Sequence, residues 1–264
     1  MANRAAPIGV FDSGIGGLSV LKALRAQLPH ESFVYFADSA HQPYGEKGDA
    51  FVAARSQSIV RDLLGQHQIK ALVVACNTAT AAAVRELRLI YPELPLVGIE
   101  PAIKPAAAMS QTRKIAVIAT RGTIQSAKLA RLLQRHGGDA TFVTQACDGL
   151  AEAIEQRSGR DNSAQIQALI AQHLGRMGSF GMAAEQIDTL VLGCTHYPLV
   201  QDLIQSVVGP QVRLLETGVP VARYTAQLLA ERGLLNDGKT APTLQLLTSA
   251  EQAHIEQAAA FWGV

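Results

Sequence analysis

The chain has 264 residues, room for a large core and for one or two domains. Its 23 basic and 22 acidic side chains leave a net charge of +1, so no overall field favours nucleic acid or an anionic membrane surface. Three cysteines, Cys76, Cys147 and Cys194, are too few and too scattered for a disulfide framework, and none forms the C-x-x-C pair of zinc or thioredoxin-type centres. Free thiols suit a reducing cytosol. Met1 to Pro7 has no apolar signal core, and no apolar run approaches the ~18 residues of a membrane span. The expectation is a soluble, cytoplasmic protein.

In chain order, Ile8 to Phe11 is a short apolar run that ends at Asp12-Ser13-Gly14-Ile15-Gly16-Gly17. Leu18 to Leu28 follows with apolar residues at helical spacing. Ser32 to Ala37 repeats the strand signal, and Asp38 to Gly48 is a polar loop carrying Pro43-Tyr44-Gly45. A helix is predicted over Phe51 to Gln66, a strand over Ala71 to Ala75, a helix over Thr80 to Ile90 and a strand over Leu96 to Ile99. A second series starts at Lys114: strand Ile115 to Ala119, turn Thr120 to Thr123, helix Ser126 to His136, strand Thr141 to Thr144 and short helix Gly149 to Arg157. It continues with helix Ala164 to Met177, strand Leu190 to Leu192, helix Leu199 to Val208, strand Val212 to Leu215 and helix Gly218 to Arg232. The tail reads as a strand over Thr243 to Thr248 and a helix over Ala250 to Phe261. Strands alternating with helices give parallel sheets wound on both faces, an α/β class, with boundaries near Glu100 and Val208. The second series does not reproduce every element of the first, so the repeat is weak outside the cysteine strands.

Those cysteine strands share a shape. Leu72-Val73-Val74-Ala75-Cys76-Asn77-Thr78 and Leu190-Val191-Leu192-Gly193-Cys194-Thr195-His196 are apolar runs ending in a small residue, a cysteine and two polar residues. Each thiol falls where a buried strand ends, the edge at which open α/β sheets bind ligands. A cysteine beside one apolar strand is most simply a small buried hydrophobe. Two placed alike suggest one reactive thiol on each side of a substrate. His196 stands two residues after Cys194, and Asp12 ends a strand that a parallel sheet could set beside Cys76. Cys147, leading into Asp148-Gly149, reads as structural. The Asp12–Gly17 turn resembles an anion-binding loop, but Ser19 stands where the dinucleotide pattern needs its third glycine, and the P-loop lysine is missing. The turn could hold a carboxylate through its N–H groups and Ser13, or be a purely structural tight turn. Pro43-Tyr44-Gly45 is open to two readings, an ordinary turn or a lid with backbone N–H groups facing a ligand. Thr120-Arg121-Gly122-Thr123 gives the second half its own hydroxyl-bearing turn.

These stretches resemble the cofactor-independent aspartate/glutamate racemase superfamily, and within it the glutamate racemases. The resemblance is carried by Val10 to Leu18, Ala37-Asp38 with Pro43-Tyr44-Gly45, Ala75-Cys76-Asn77-Thr78-Ala79, Ala119-Thr120 with Thr123, and Leu192-Gly193-Cys194-Thr195-His196-Tyr197-Pro198-Leu199. It spans residue 8 to about 220 in the family's order. It implies two similar flavodoxin-like doubly wound domains with the active site in the cleft between them, and a C-terminal tail that returns to the first. The domains are then 1–99 plus 209–264, and 100–208. One stretch departs from the family's Cys-Pro-Leu-aromatic run leading to a glutamate: here it reads Cys147-Asp148-Gly149-Leu150-Ala151-Glu152-Ala153-Ile154-Glu155. Counting from Cys147, Glu155 falls at that glutamate, but Glu152 is close, and neither enters the catalytic set.

The resemblance implies interconversion of L- and D-glutamate by two-base proton transfer, supplying D-glutamate for peptidoglycan. Cys76 would work on D-glutamate and Cys194 on L-glutamate, Asp12 serving the first thiol and His196 the second. Asp12, Ser13, Tyr44, Gly45, Asn77, Thr78, Thr120, Thr123, Thr195 and His196 would bind substrate. No metal and no cofactor is expected, and no lysine stands in the motif stretches as a Schiff-base candidate. The expected partner is a small molecule, glutamate, with neither nucleic acid nor membrane. A homodimer is compatible with the sequence, in which no surface stripe selects an arrangement. The competing readings are an aspartate or hydantoin racemase, a one-thiol decarboxylase, which the second thiol opposes, and a non-catalytic amino-acid-binding protein.

Overall fold

The computed structural model describes residues 3–264. The first elements are β1 (Ile8–Asp12), α1 (Leu18–Gln27), β2 (Phe33–Ala37), α2 (Asp49–His67), β3 (Ala71–Val74), α3 (Asn77–Ile90) and β4 (Leu96–Gly98). Then come α4 (Ile103–Met109), β5 (Lys114–Ala119), α5 (Arg121–Ile124), α6 (Ala127–His136), β6 (Thr141–Ala146), α7 (Leu150–Glu155), α8 (Ser163–Leu174), β7 (Thr189–Leu192), α9 (Gln201–Val208) and β8 (Arg213–Leu215). The chain closes with α10 (Gly218–Glu231), β9 (Leu244–Thr248) and α11 (Gln252–Trp262). It divides into two compact units, one made of the chain up to Ile99 with Gly218–Val264, the other of Glu100–Thr217.

The first unit holds a five-stranded parallel sheet in the order β4-β3-β1-β2-β9. Its strands are apolar because both faces are covered. Phe11, Val34, Leu72 and Val74 meet Val52, Ile59, Val60 and Leu63 of α2 and Ala83, Val84 and Leu87 of α3 in one core cluster. The alternate residues Ile8, Val10 and Val73 are also wholly buried, and α1 packs against α10. Burying each such aliphatic side chain contributes roughly 1.5–3 kcal/mol.

The second unit holds a four-stranded parallel sheet in the order β6-β5-β7-β8. Ile115 and Val117 of β5 and Val191 of β7 pack with Ile103 and Ala106 of α4 and Leu129 of α6. Its strand order repeats that of β2-β1-β3-β4, so the two units share more than their cysteine strands. The register makes the match residue by residue. Phe11 pairs with Val74 and Ile118 with Leu192. The next amides bond back alike, Ala75 N–H to the Phe11 carbonyl at 2.8 Å and Gly193 N–H to the Ile118 carbonyl at 2.7 Å. Cys76 therefore corresponds to Cys194, and Ser13 to Thr120. On the other flank, Asp38 N–H reaches the Asp12 carbonyl at 2.9 Å and Cys147 N–H the Ala119 carbonyl at 3.0 Å, so Cys147 occupies the place of Asp38.

Three features differ from the sequence reading. Because β8 pairs with β7, residues 209–217 belong with the second unit, not with the first as the boundary near Val208 has it. Helix α4 was not expected; Pro105 lies in its first turn, where a missing N–H costs nothing. Helix α3 starts at Asn77, three residues before the predicted Thr80, because Cys76 caps it.

The tail returns to the first unit as β9 beside β2, and a buried ion pair fastens it there. Glu31, 3% exposed, is paired with Lys70, which also donates to the Arg4 carbonyl, and accepts the Asn236 N–H at 2.8 Å. Removing one member leaves the other charge buried. Glu31→Ala is expected to cost about 3–5 kcal/mol, read as a lower urea midpoint at unchanged slope.

Candidate active site

In the first unit Asp12, Ser13, Cys76, Asn77 and Thr78, expected at the site, lie where β1 and β3 end side by side. These neighbouring strands are the point at which the chain's connections leave the sheet in opposite directions, the place where open α/β sheets bind ligands. Cys76 has an extended backbone, and its Sγ accepts the Ala79 N–H at 3.4 Å, so the sulfur sits on the N-terminus of the 14-residue α3. Helix N-termini favour a thiolate over a thiol. Ser13 Oγ lies 3.7 Å from the same sulfur. Asp12 is wholly buried and accepts the Gly17 N–H at 2.7 Å through Oδ2. Gly17 is required by space: a Cβ there would stand 2.7 Å from the Asp12 Cβ and 2.8 Å from the Tyr35 hydroxyl. That hydroxyl donates to the Gly14 carbonyl at 2.6 Å and pins the turn. Asn77 and Thr78 are buried in the first turn of α3.

Tyr44 is buried and Gly45 half-buried, in a short 3₁₀ turn, Tyr44–Glu46. The Tyr44 hydroxyl donates to Asp38 Oδ2 at 2.5 Å. Burial raises the Asp38 carboxyl, but hydrogen bonds from Arg55, Tyr44 and Ser249 outweigh it and hold the group below the usual carboxylate range. Burial and the bond to Asp38 push the Tyr44 phenol far up, so it stays a neutral donor.

In the second unit Cys194 ends the run after β7. It is followed not by a long helix, as at Cys76, but by a turn and the 3₁₀ segment Tyr197–Val200 before α9. Its sulfur has a different companion. His196 Nδ1 lies 3.7 Å from Cys194 Sγ, and His196 Nε2 lies 2.6 Å from Glu155 Oε2. All three are buried. With Nε2–H donating to the carboxylate, Nδ1 is turned to the sulfur, the logic by which a carboxylate orients an imidazole. Burial pulls the His196 pKa down, but the bonds to Cys194 and Glu155 outweigh it and raise it well above the ordinary 6.5. Thr120 caps α5, and its Oγ1 donates to Thr123 Oγ1 at 3.1 Å. Thr195 is buried beside Cys194.

The structure thus groups Asp12, Ser13, Tyr44, Gly45, Cys76, Asn77 and Thr78 in one unit and Thr120, Thr123, Cys194, Thr195 and His196 in the other. It also separates the two glutamates: Glu155, buried at the end of α7, touches His196, a partner the sequence reading left out. Cys147 is buried at the end of β6, and burial, with the neighbouring Cys194, pushes its thiol up to about 12. A thiol held there is no base near neutral pH. Among the described residues, no group of three or more His, Cys, Asp and Glu could hold a metal ion, and no helix is long and apolar enough to cross a membrane.

Residues 8–225 match the Asp/Glu/Hydantoin racemase family. The chain belongs to that family. It is 49% identical over 238 residues to a glutamate racemase of Stutzerimonas stutzeri, covering 90% of this chain and 87% of that one. It is 46% identical over 257 residues to a glutamate racemase of Pseudomonas aeruginosa strain PAO1, covering 97% and 94%. Among solved structures it is similar to a glutamate racemase isoform from Bacillus anthracis, with a TM-score of 0.84, 33% identity and coverage of 98% and 94%. The Escherichia coli glutamate racemase, in complex with L-glutamate and the activator UDP-MurNAc-ala, gives a TM-score of 0.84 at 32% identity, with the same coverage.

The His196–Glu155 contact has a pH signature. A His raised above its unfolded value contributes stability that is fully present below pH ~6.5 and lost as pH rises through the raised folded value. Glu155→Gln removes the carboxylate's share. The His196 ring titration followed by NMR should move to lower pH. The stability lost, on the order of 1–3 kcal/mol, should be larger near pH 6 than above the wild-type His196 pKa. An unmoved titration would show that Glu155 does not govern the imidazole.

Proposed function

We propose that the thiols of Cys76 and Cys194 remove and deliver the α-proton on opposite faces of glutamate, with Asp12 serving Cys76 and the His196–Glu155 pair serving Cys194. The protein is a glutamate racemase: it interconverts L- and D-glutamate without a cofactor and supplies D-glutamate for peptidoglycan. The observation that carries the residue assignment is the register match of the two sulfurs, each at the end of the third strand of its unit. Cys194 also has the His196 ring at 3.7 Å, and Asp12 ends the strand beside the one that leads to Cys76.

Racemisation needs one base per face if the substrate is not to turn over in the site. A thiol suits both roles, since its ordinary pKa of ~8.5 lets thiolate and thiol interconvert near neutral pH. In this reading Cys76 takes the α-proton from D-glutamate and Cys194 from L-glutamate, and every turnover exchanges which sulfur carries the proton. The α-proton of an amino acid is weakly acidic, so charge developing on the α-carbon and its carboxylate must meet fixed donors. Ser13, Asn77, Thr78, Thr120, Thr123 and Thr195, with the Tyr44–Gly45 turn, are the groups we assign to the substrate's ammonium and carboxylates. Cytoplasmic work fits three buried free thiols, and a homodimer completes the reading.

The experiment is incubation of L-glutamate in deuterated buffer, following optical activity by circular dichroism and the α-proton by NMR. The wild-type protein should lose both signals. Cys76→Ala and Cys194→Ala should each slow racemisation by about a thousandfold or more while glutamate still binds. Near-normal turnover in either variant would overturn the two-thiol assignment. Retention of both signals with glutamate but not with aspartate would overturn the substrate.

A further inference from the structure

The substrate-binding role given to Tyr44 and Gly45 raises a question of mechanics. Between β2 and α2 the chain has only two three-residue 3₁₀ turns, Ser39–His41 and Tyr44–Glu46. Tyr44 and Gly45 belong to no strand or α-helix; the Tyr44 ring packs with Val52, Cys76 and Ala79 in the core cluster, while its hydroxyl is held by a polar network centred on one buried group.

That group is Asp38, wholly buried, whose N–H is bonded to the Asp12 carbonyl at 2.9 Å and is thus tied to the end of β1. Its carboxylate takes the Tyr44 hydroxyl at 2.5 Å and has His41 Nδ1 at 3.0 Å. From α2, Arg55 donates twice, Nε to Oδ2 at 3.0 Å and Nη2 to Oδ1 at 2.7 Å. From the tail, Ser249 N–H bonds the Ala37 carbonyl at 3.1 Å, and Ser249 Oγ accepts the Ala40 N–H at 3.0 Å. A buried carboxylate with no counter-charge neutralises itself, and a protonated Asp38 would offer Tyr44 a poorer acceptor. The two-pronged guanidinium supplies that counter-charge and fixes the plane of the carboxylate as well.

We propose that Arg55 is a positioning residue of the racemase. By clamping Asp38 as a carboxylate of fixed orientation, it holds the Tyr44 hydroxyl and so sets the Tyr44–Gly45 turn at the distance from the β1 and β3 ends that glutamate requires. Arg55 acts through Asp38 and Tyr44 and touches no substrate. The inference rests on the reading that this turn binds glutamate.

The test uses the full-length enzyme. Arg55→Gln should raise KM for glutamate by about tenfold or more while kcat changes less than about threefold, since ground-state placement is lost and the thiols are untouched. Because the two enantiomers are equal in energy, kcat/KM must fall by the same factor in both directions. Arg55→Lys keeps a charge but not the fork and should fall between. Tyr44→Phe breaks the same chain at its next link, so the double variant should cost no more than the larger single one. Titrating the ¹⁵N-labelled wild-type enzyme with glutamate reads the Tyr44 and Gly45 amides directly. If those amides shift but KM is unchanged in Arg55→Gln and Arg55→Lys, or the double variant is additive, the proposal falls and the binding role of the turn stands. If the amides do not shift, both fall. Should Arg55→Gln fail to fold, Arg55→Lys and Tyr44→Phe carry the same comparison, with thermal melts checking that each is native.

Discussion

Parallel strands that exchange amide hydrogen bonds in a fixed register set the place of both sulfurs, Cys76 and Cys194, in this protein. Once Phe11 pairs with Val74, and Ile118 with Leu192, each sulfur is delivered to the carboxyl edge of its sheet, two residues beyond the strand's end. Asp12 and Cys76 come to the same edge of the sheet only because β1 and β3 lie side by side, a placement that comes from the strand order and not from closeness in sequence. A slip of one residue would exchange the side chains that meet the two helical layers, so the same packing that builds the core also fixes the sulfurs.

On this shared frame the two thiols are equipped differently. Cys76 caps a long helix and has a serine hydroxyl near its sulfur. Cys194 lacks such a helix and has a buried imidazole backed by a carboxylate. Both arrangements favour moving a proton on and off sulfur, one through backbone dipoles and the other through a titratable ring. The end of each unit's second strand differs too. Where the first unit places an ionised Asp38, the second places Cys147, whose thiol stays protonated, so equivalent backbone positions serve opposite electrostatic ends.

What the sequence reveals follows from how far each interaction reaches along the chain. The strands at Ile8, Leu72 and Leu190 are continuous apolar runs bounded by polar turns, and they place Asp12, Cys76, Cys194 and His196 without knowledge of the fold. Helix α3 starts three residues before Thr80 because the Cys76 sulfur accepts the Ala79 N–H, a contact that the polar pair Asn77-Thr78 does not announce. The membership of residues 209–217 was misread because β8 is only three residues long, and its pairing with β7 leaves no pattern in composition. Glu155 lies 41 residues from the ring it touches; counting from Cys147 points to it with Glu152 close by, and its burial and contact with His196 decide between the two. Arg55 gave no signal, since an arginine on an amphipathic helix reads as solvated surface until Asp38 is found beneath it.

The return of β9 to the first sheet has a consequence for synthesis. The second unit is continuous in sequence and can close as soon as Thr217 has been made, whereas the first must wait for residues 244–248 to cover the outer edge of β2. Until then β2 presents unsatisfied amides and carbonyls, the kind of edge on which chains pair wrongly. Asp38 follows directly from that strand, and Ser249 follows directly from β9. The anchor of the Tyr44 turn is therefore complete only after the second unit has been made, and a chain lacking these residues would carry its helix-capping thiol on an open-edged sheet.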